Sequence, residues 1–141
     1  MALEIGRIGI WTGVFDARPM SEVVEGARRI EELGFETLWV PETVGRDPFV
    51  VVTRLLAATT TLRLATGIAN IYARDRRCRR SRSRCPKRPG RFLLGLGSHT
   101  TTWWRVRKHA YTKPLAYMRE YLTEMDEAMF SPSPRPRSLS G

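Results

Sequence analysis

Small and polar residues follow four short apolar stretches of this sequence, and their types are those that bind ligands or move protons. They are Trp11, Thr12 and Gly13; Glu42 and Thr43; Gly67, Ala69 and Asn70; and Gly97, Ser98 and His99. If the apolar stretches are parallel strands, all four groups lie at the carboxyl ends of those strands. Ligands bind at that edge in parallel α/β folds, so we expect these residues to form one site.

Glu42 and His99 are the two candidates for proton transfer. A histidine titrates near neutral pH, and a carboxylate can act as a general acid or base. Each has a plainer alternative: Glu42 could be a solvated carboxylate at a strand exit, and His99 a turn histidine packed on the rim. We predict both as catalytic. The two cysteines, Cys78 and Cys85, have no partner ligands at metal spacing, so no metal site is predicted.

The elements that must position these residues alternate between strands and helices. Apolar stretches predict strands at 7–11, 37–40, 62–66 and 92–94. Ser21 is a predicted N-cap of the first helix, and Gly34 follows its end as a C′ residue. Asp47 before Pro48 starts a second helix, which should run to about residue 59. This alternation predicts a parallel sheet with crossover helices.

A last helix should begin at Pro114. Apolar side chains recur there at spacings of three and four: Leu115, Met118, Leu122, Met125 and Met129. This spacing predicts that they form the buried face of an amphipathic helix.

The length of 141 residues fits one domain with a real core. No apolar run approaches the roughly 20 residues that a membrane span needs. The first residues lack a basic and then apolar signal region, so we expect a cytoplasmic protein. Residues 131–141 are rich in proline, serine and arginine, which indicates a disordered tail after a domain at 1–130.

Most of the net charge of +10 lies in one segment. From Arg74 to Arg91 there are nine arginines, one lysine and one aspartate, which leaves the rest of the chain at +1. Such a run could bind nucleic acid, but it lacks interleaved aromatic residues. The alternative is a solvated loop. Residues 75–88 have no apolar periodicity, although the strands on either side require a crossover helix between them.

Several segments resemble a known family. Arg-Ile-Gly-Ile-Trp at 7–11 and the segment 31–42, with its Trp-Val-Pro-Glu end, resemble the opening of luciferase-like monooxygenases. The segments 66–74, 89–99 and 111–126 resemble the branch that uses the deazaflavin coenzyme F420. The last of these contains Lys-Pro-Leu and Met-Arg-Glu-Tyr-Leu.

The resemblance implies a (β/α)8 TIM barrel, usually about twice this length, of which this chain would supply the first four strands. It also implies hydride transfer between F420 and a small organic substrate, with an FMN-dependent monooxygenase as the alternative. In the resembled family the strand exits surround the cofactor ring. The residues that this assigns to cofactor binding are Trp11, Ala69, Asn70, Gly97 and Ser98. A homo-oligomer is a further expectation.

The resemblance also offers a reason for the arginine run. In the family an alanine-rich helix follows Ala-Arg-Asp, whereas here an arginine-rich string of similar length stands in its place. A shifted reading frame in a GC-rich gene has this effect, and residues 100–104 and those after Phe130 could share that origin. We therefore expect a truncated and locally frameshifted chain. Four strands leave two open sheet edges, so we also expect it to be poorly stable and weakly active or inactive by itself.

Overall fold

The computed structural model describes residues 6–74, 90–98 and 113–127. His99, the segment 75–88, residues 100–104 and the predicted tail lie outside the described residues. The described elements, in chain order, are strand β1 (Gly9–Trp11), a short 3-10 helix (Val14–Ala17), helix α1 (Met20–Glu32), strand β2 (Thr37–Val40), helix α2 (Pro48–Ala58), strands β3 (Arg63–Thr66), β4 (Ala69–Asn70), β5 (Phe92–Leu93) and β6 (Leu96–Gly97), and helix α3 (Pro114–Glu127).

Four of the strands form one parallel sheet in the order β1-β2-β3-β5. Its register places Leu38 beside Ile10 on one side and beside Leu64 on the other, and Leu64 beside Phe92. Helices α1 and α2 connect the first three strands, as parallel neighbours require. The predicted α/β class, with parallel strands and crossover helices, is confirmed.

The two crossover helices cover one face of this sheet. The core contains buried side chains from both helices and from the sheet: Val23, Ala27, Leu38, Val40, Val51, Val52, Leu55, Leu62 and Leu64. Side chains alternate between the two faces of a strand. The opposite face therefore carries the row of register neighbours Trp11, Trp39, Ala65 and Leu93.

Strands β3 and β5 are each interrupted, and the chain then resumes as a second parallel pair. The pair is β4 and β6, with Ala69 opposite Leu96 and Asn70 opposite Gly97. The interruption after β3 contains a cis peptide bond between Gly67 and Ile68. The sequence analysis expected these residues only as strand exits, because strands of two residues have no periodic pattern to recognise.

The helix ends follow the sequence signals in two of three cases. Asp47 caps α2 by accepting a hydrogen bond from the backbone N–H of Phe49 at 2.8 Å. Gly34 has a φ of +82° after α1, and the N–H groups of Gly34 and Phe35 donate to the carbonyls of Glu31 and Ile30, which is a Schellman ending. Ser21 is not the N-cap: α1 begins at Met20 after Pro19, without a side-chain cap.

Helix α3 exists as predicted, but its buried side is different. Tyr121 is fully buried, whereas Leu115 is 77% exposed and Leu122 is also exposed. The predicted apolar face was therefore wrong at both leucines, whereas Met118 and Met125 are half-buried and Met129 lies outside the described residues. Aromatic contacts hold the helix instead, since Tyr117 stacks on Tyr72 with ring centroids 4.2 Å apart. None of the described helices is long and apolar enough to span a membrane.

Candidate functional site at the strand exits

Trp11 forms a flat wall at the exit of the first strand. Its indole Nε1–H donates to the carbonyl oxygen of Gly67 at 2.6 Å, so the ring crosses from β1 to the exit of β3. A Cβ on Gly67 would lie 3.1 Å from the Trp11 ring and 3.3 Å from the Cβ of Trp39. Glycine at this position therefore lets the indole lie close to the backbone. The indole is fixed at one edge, yet Trp11 is 62% exposed.

Glu42 is placed inside the protein rather than in solvent. It is 1% exposed, and its Oε2 accepts hydrogen bonds from the backbone N–H of Asn70 at 2.8 Å and from Arg74 Nη1 at 2.7 Å. Its own N–H donates to the carbonyl oxygen of Ile68 at 3.0 Å. The alternative of a solvated carboxylate is wrong. Its predicted acid–base role stays a prediction, and the geometry gives it a holding role.

Arg74 joins Glu42 to the start of helix α2. Its guanidinium lies 2.9 Å from Asp47 Oδ2 and 5.2 Å from the centroid of the Phe49 ring. Burial by itself lowers the pKa of Arg74, but hydrogen bonds and charge attraction to Glu42 and Asp47 outweigh it, and the pKa is raised. Glu42, Arg74 and Asp47 therefore form one charged cluster, named here the exit cluster.

The remaining predicted cofactor residues lie on β4 and β6 or just after them. Ala69 is fully buried, and Asn70 is buried with its Oδ1 accepting from the N–H of Tyr72 at 3.1 Å. A Cβ on Gly97 would lie 3.0 Å from the Ile68 side chain, so this glycine is needed for packing. Ser98 is exposed directly after β6. His99 follows it, outside the described residues.

Sequence reasoning missed the exit cluster as a unit. Arg74 was counted as the first arginine of the basic run, and Asp47 only as a helix cap. Their positions in the sequence could have indicated the cluster. Asp47 and Arg74 each follow a predicted strand, and parallel strands bring their ends to the edge of the sheet that carries Glu42. Burial cannot be read from the residue types alone, so the pairing of these charges is visible only in the structure.

Both described ends of the arginine run contact the protein. Arg74 belongs to the exit cluster. Arg91 is buried at the opposite end of the sheet, where its guanidinium donates to the carbonyl oxygens of Thr59 and Leu62 and to the Thr59 hydroxyl. These two arginines hold the fold together, which reduces the charge available for nucleic acid.

The comparisons with known proteins agree with this architecture. Residues 7–75 match the model of the family described as luciferase-like monooxygenase. The matched residues make up just under half of the chain. The match covers β1 to β4 and the whole exit cluster.

One relative of this chain carries the provisional name coenzyme F420-dependent oxidoreductase and comes from Mycobacterium tuberculosis. It is 27% identical over 139 aligned positions, and the match covers 94% of this chain and 39% of the relative. This chain thus spans about two fifths of that relative's length.

Two solved structures share the fold of this chain. The F420-dependent tetrahydromethanopterin reductase from Methanopyrus kandleri matches with a TM-score of 0.70 at 17% identity, over 84% of this chain and 38% of its own. The oxygenating constituent of 3,6-diketocamphane monooxygenase from Pseudomonas putida, in complex with FMN, matches with a TM-score of 0.70 at 12% identity, over 84% and 39%. The predicted half of a (β/α)8 barrel is confirmed.

Proposed function

We propose that the strand exits form the ring-binding part of an oxidoreductase that transfers a hydride between coenzyme F420 and an organic substrate. The observation that carries this proposal is the Trp11 indole, anchored at Nε1 to Gly67 and otherwise exposed at the ligand-binding edge. The name of the mycobacterial relative supports F420 as the cofactor. The small-molecule substrate and a homo-oligomeric state belong to the same proposal.

The residues at this edge fit a planar tricyclic ring. Such a ring needs flat apolar support and a few placed hydrogen bonds. The exposed indole face of Trp11 supplies the support, and Ser98 supplies an exposed hydroxyl. Ala69 and Asn70 lie beneath the surface and would shape the floor of the site.

When bound, the deazaflavin supplies the carbon centre that gives or accepts a hydride. The chain's own contribution is to orient the ring and to exclude water from one side of it. Trp11 would stack against the ring. Gly67 leaves room for the Trp11 indole, and Gly97 leaves room for the Ile68 side chain. We assign His99 the proton donor's role and expect Glu42 to act by holding the β4 backbone.

FMN is the alternative cofactor, with monooxygenation as the reaction. The Pseudomonas structure, solved in complex with FMN, supports this alternative. FMN and F420 both present a tricyclic ring, so Trp11 would serve either. The two proposals differ in which cofactor binds more tightly.

A titration tests the proposal and separates the two cofactors. The chain is titrated with F420 and with FMN, with cofactor fluorescence polarisation as the readout. We expect weak but saturable binding of F420, and about tenfold weaker binding for Trp11→Ala because the stacking surface is lost.

Leu33→Ala is the matched control, since Leu33 is an exposed apolar residue near the opposite end of the sheet. It should leave the binding curve unchanged. Tighter binding of FMN than of F420 would favour the monooxygenase. Absence of saturable binding for both cofactors would refute the proposal.

A further inference from the structure

We propose that Arg74 and Glu42 are positioning residues, and that the exit cluster fixes the backbone of residues 67–71 in the form that binds the ring. The inference rests on the proposed function, since it takes this edge as the ring-binding edge. It gives a role to Arg74, a residue outside the predicted site.

The regular ladder between β2 and β3 ends where the exit cluster begins. Its last contact is the N–H of Gly67 donating to the carbonyl oxygen of Val40 at 2.9 Å. Beyond this point Glu42 takes over, with its N–H on Ile68 and its carboxylate on the N–H of Asn70. One residue thus holds the chain at two positions on either side of the start of β4.

Arg74 keeps the Glu42 carboxylate in this position. A carboxylate that is 1% exposed requires a charged or hydrogen-bonding partner, because burial of an uncompensated charge is strongly unfavourable. Arg74 Nη1 supplies the charge at 2.7 Å, and the arginine side chain is itself only 14% exposed. With Arg74 absent, the carboxylate would turn toward solvent and release the N–H of Asn70.

Asp47 fixes the other side of Arg74. One carboxylate oxygen caps helix α2 through Phe49, and the other pairs with the guanidinium at 2.9 Å. The ring of Phe49 lies under the same guanidinium. The start of α2 and the exit of β3 are therefore joined through a single cation.

The consequence for ligand binding passes through the backbone. Residues 67–71 carry the carbonyl that anchors Trp11, and β4 holds β6 in register at Asn70 and Gly97. If the exit cluster loosens, both the indole wall and the β6 exit lose their fixed positions. The ring should then bind more weakly, although neither Arg74 nor Glu42 touches it.

The test compares Arg74→Met, Arg74→Lys and Glu42→Gln in the full chain. Arg63→Met is the matched control, because Arg63 pairs with Glu36 at 2.8 Å on a more exposed part of the sheet. Two quantities are measured: hydrogen exchange of the amides of residues 67–71, and the dissociation constants of F420 and FMN.

We expect Arg74→Met to speed exchange at residues 67–71 and to weaken ring binding about tenfold. Arg74→Lys should restore part of both effects, since it keeps the charge but loses the guanidinium's second contact. Glu42→Gln should change both quantities in the same direction as Arg74→Met. Arg63→Met should change neither.

Unchanged exchange in Arg74→Met would overturn the inference. So would faster exchange with unchanged ring binding, because the exit cluster would then be structural only. If Trp11→Ala weakens binding and Arg74→Met does not, the proposed function stands and this inference fails. If the unmodified chain binds neither cofactor, the proposed function fails first and this inference fails with it.

Discussion

At the scale of single residues, Glu31 shows how the end of the sheet opposite the site is held. Its carboxylate accepts hydrogen bonds from the backbone N–H groups of Thr60 and Leu62 at 2.9 and 2.7 Å, and from the Thr61 hydroxyl at 2.9 Å. Burial raises the pKa of Glu31, but these hydrogen bonds outweigh it and lower the pKa to about 2. A side chain of α1 thereby fixes the loop that enters β3.

The lowered pKa of Glu31 predicts a pH-dependent contribution to stability. A carboxyl group with a depressed folded pKa stabilises the protein above its unfolded value of 4.5, and this contribution is lost as the pH falls toward about 2. We expect Glu31→Gln to speed exchange of the amides of Thr60 and Leu62 at pH 7, with a much smaller difference from the unmodified chain near pH 2. The measurement is hydrogen exchange corrected for intrinsic rates.

Glu32→Gln is the control for this prediction. Glu32 is the next residue on α1, but its exposed carboxylate pairs with the exposed Arg29 at 3.1 Å. Its replacement should leave the exchange of Thr60 and Leu62 unchanged at both pH values. Equal effects of the two variants would show that Glu31 acts only through general charge.

Arg91 provides a second residue-scale prediction, about the basic run. Arg91→Met removes the donors to the carbonyls of Thr59 and Leu62 and leaves buried acceptors behind, at a cost of about 2 kcal/mol. We expect a lower midpoint of thermal unfolding. Arg54→Met, an exposed arginine on α2, should leave the midpoint within about 1 °C. An unchanged unfolding midpoint in Arg91→Met would mean that the arginine run is solvated up to its last residue.

At the scale of elements, the strand interruptions determine where the site lies. Each interruption moves the following residues out of the first sheet and into the β4–β6 pair. Three of the five predicted cofactor residues, Ala69, Asn70 and Gly97, lie on this pair, and a fourth, Ser98, follows it directly. Thr66 couples the two interruptions, since its hydroxyl donates to Gly95 O at 2.8 Å and accepts from Gly95 N–H at 2.9 Å.

Gly95 is the test of this coupling. A Cβ there would lie 2.0 Å from the carbonyl oxygen of Thr66, so Gly95→Ala cannot be accommodated without moving one of the strands. We expect a loss of about 1 to 3 kcal/mol of stability and faster exchange at β4. Gly13→Ala is the control, because its added Cβ would meet nothing closer than 3.8 Å. Similar melting of Gly95→Ala and the unmodified chain would contradict the described interruption.

At the scale of the whole molecule, the described sheet is an open structure. Strands β1 and β5 each pair on one side only within the described residues, and the face with Trp11 and Trp39 has no helix of the α1–α2 layer on it. Open sheet edges and an exposed apolar side chain such as Trp11 reduce stability and favour association. The chain also spans about two fifths of the relatives it matches.

We therefore expect the isolated chain to be marginally stable. Calorimetry should show a broad, low-temperature unfolding transition, and light scattering should show association that increases with protein concentration. Cofactor turnover by the isolated chain should be weak or absent. A sharp two-state transition together with stoichiometric cofactor binding would contradict this prediction.

The coding DNA tests the origin of the arginine run. We expect another reading frame across residues 75–88 to encode an alanine-rich amphipathic helix, as the crossover between β4 and β5 requires. If no frame does so, the arginines are genuine. Nucleic-acid binding with a steep dependence on salt concentration is then the next assay.

The sequence by itself determined the local structure of this protein. The Asp47–Pro48 start of α2, the glycine ending of α1 and the apolar stretches of the parallel strands depend on neighbouring residues, so their residue types are sufficient to predict them. The family resemblance likewise rests on short motifs. The strand exits were predicted to converge because parallel strands place their carboxyl ends on one edge.

Only the tertiary structure decided which contacts form between the residues at those strand exits. Glu42 is buried and paired with Arg74, Trp11 crosses to Gly67, and α3 is held by tyrosines rather than by its leucines. Each outcome depends on contacts between residues more than twenty positions apart, or on which helix face meets the sheet. Burial and charge pairing arise from three-dimensional packing, and the order of residues along the chain does not specify them locally.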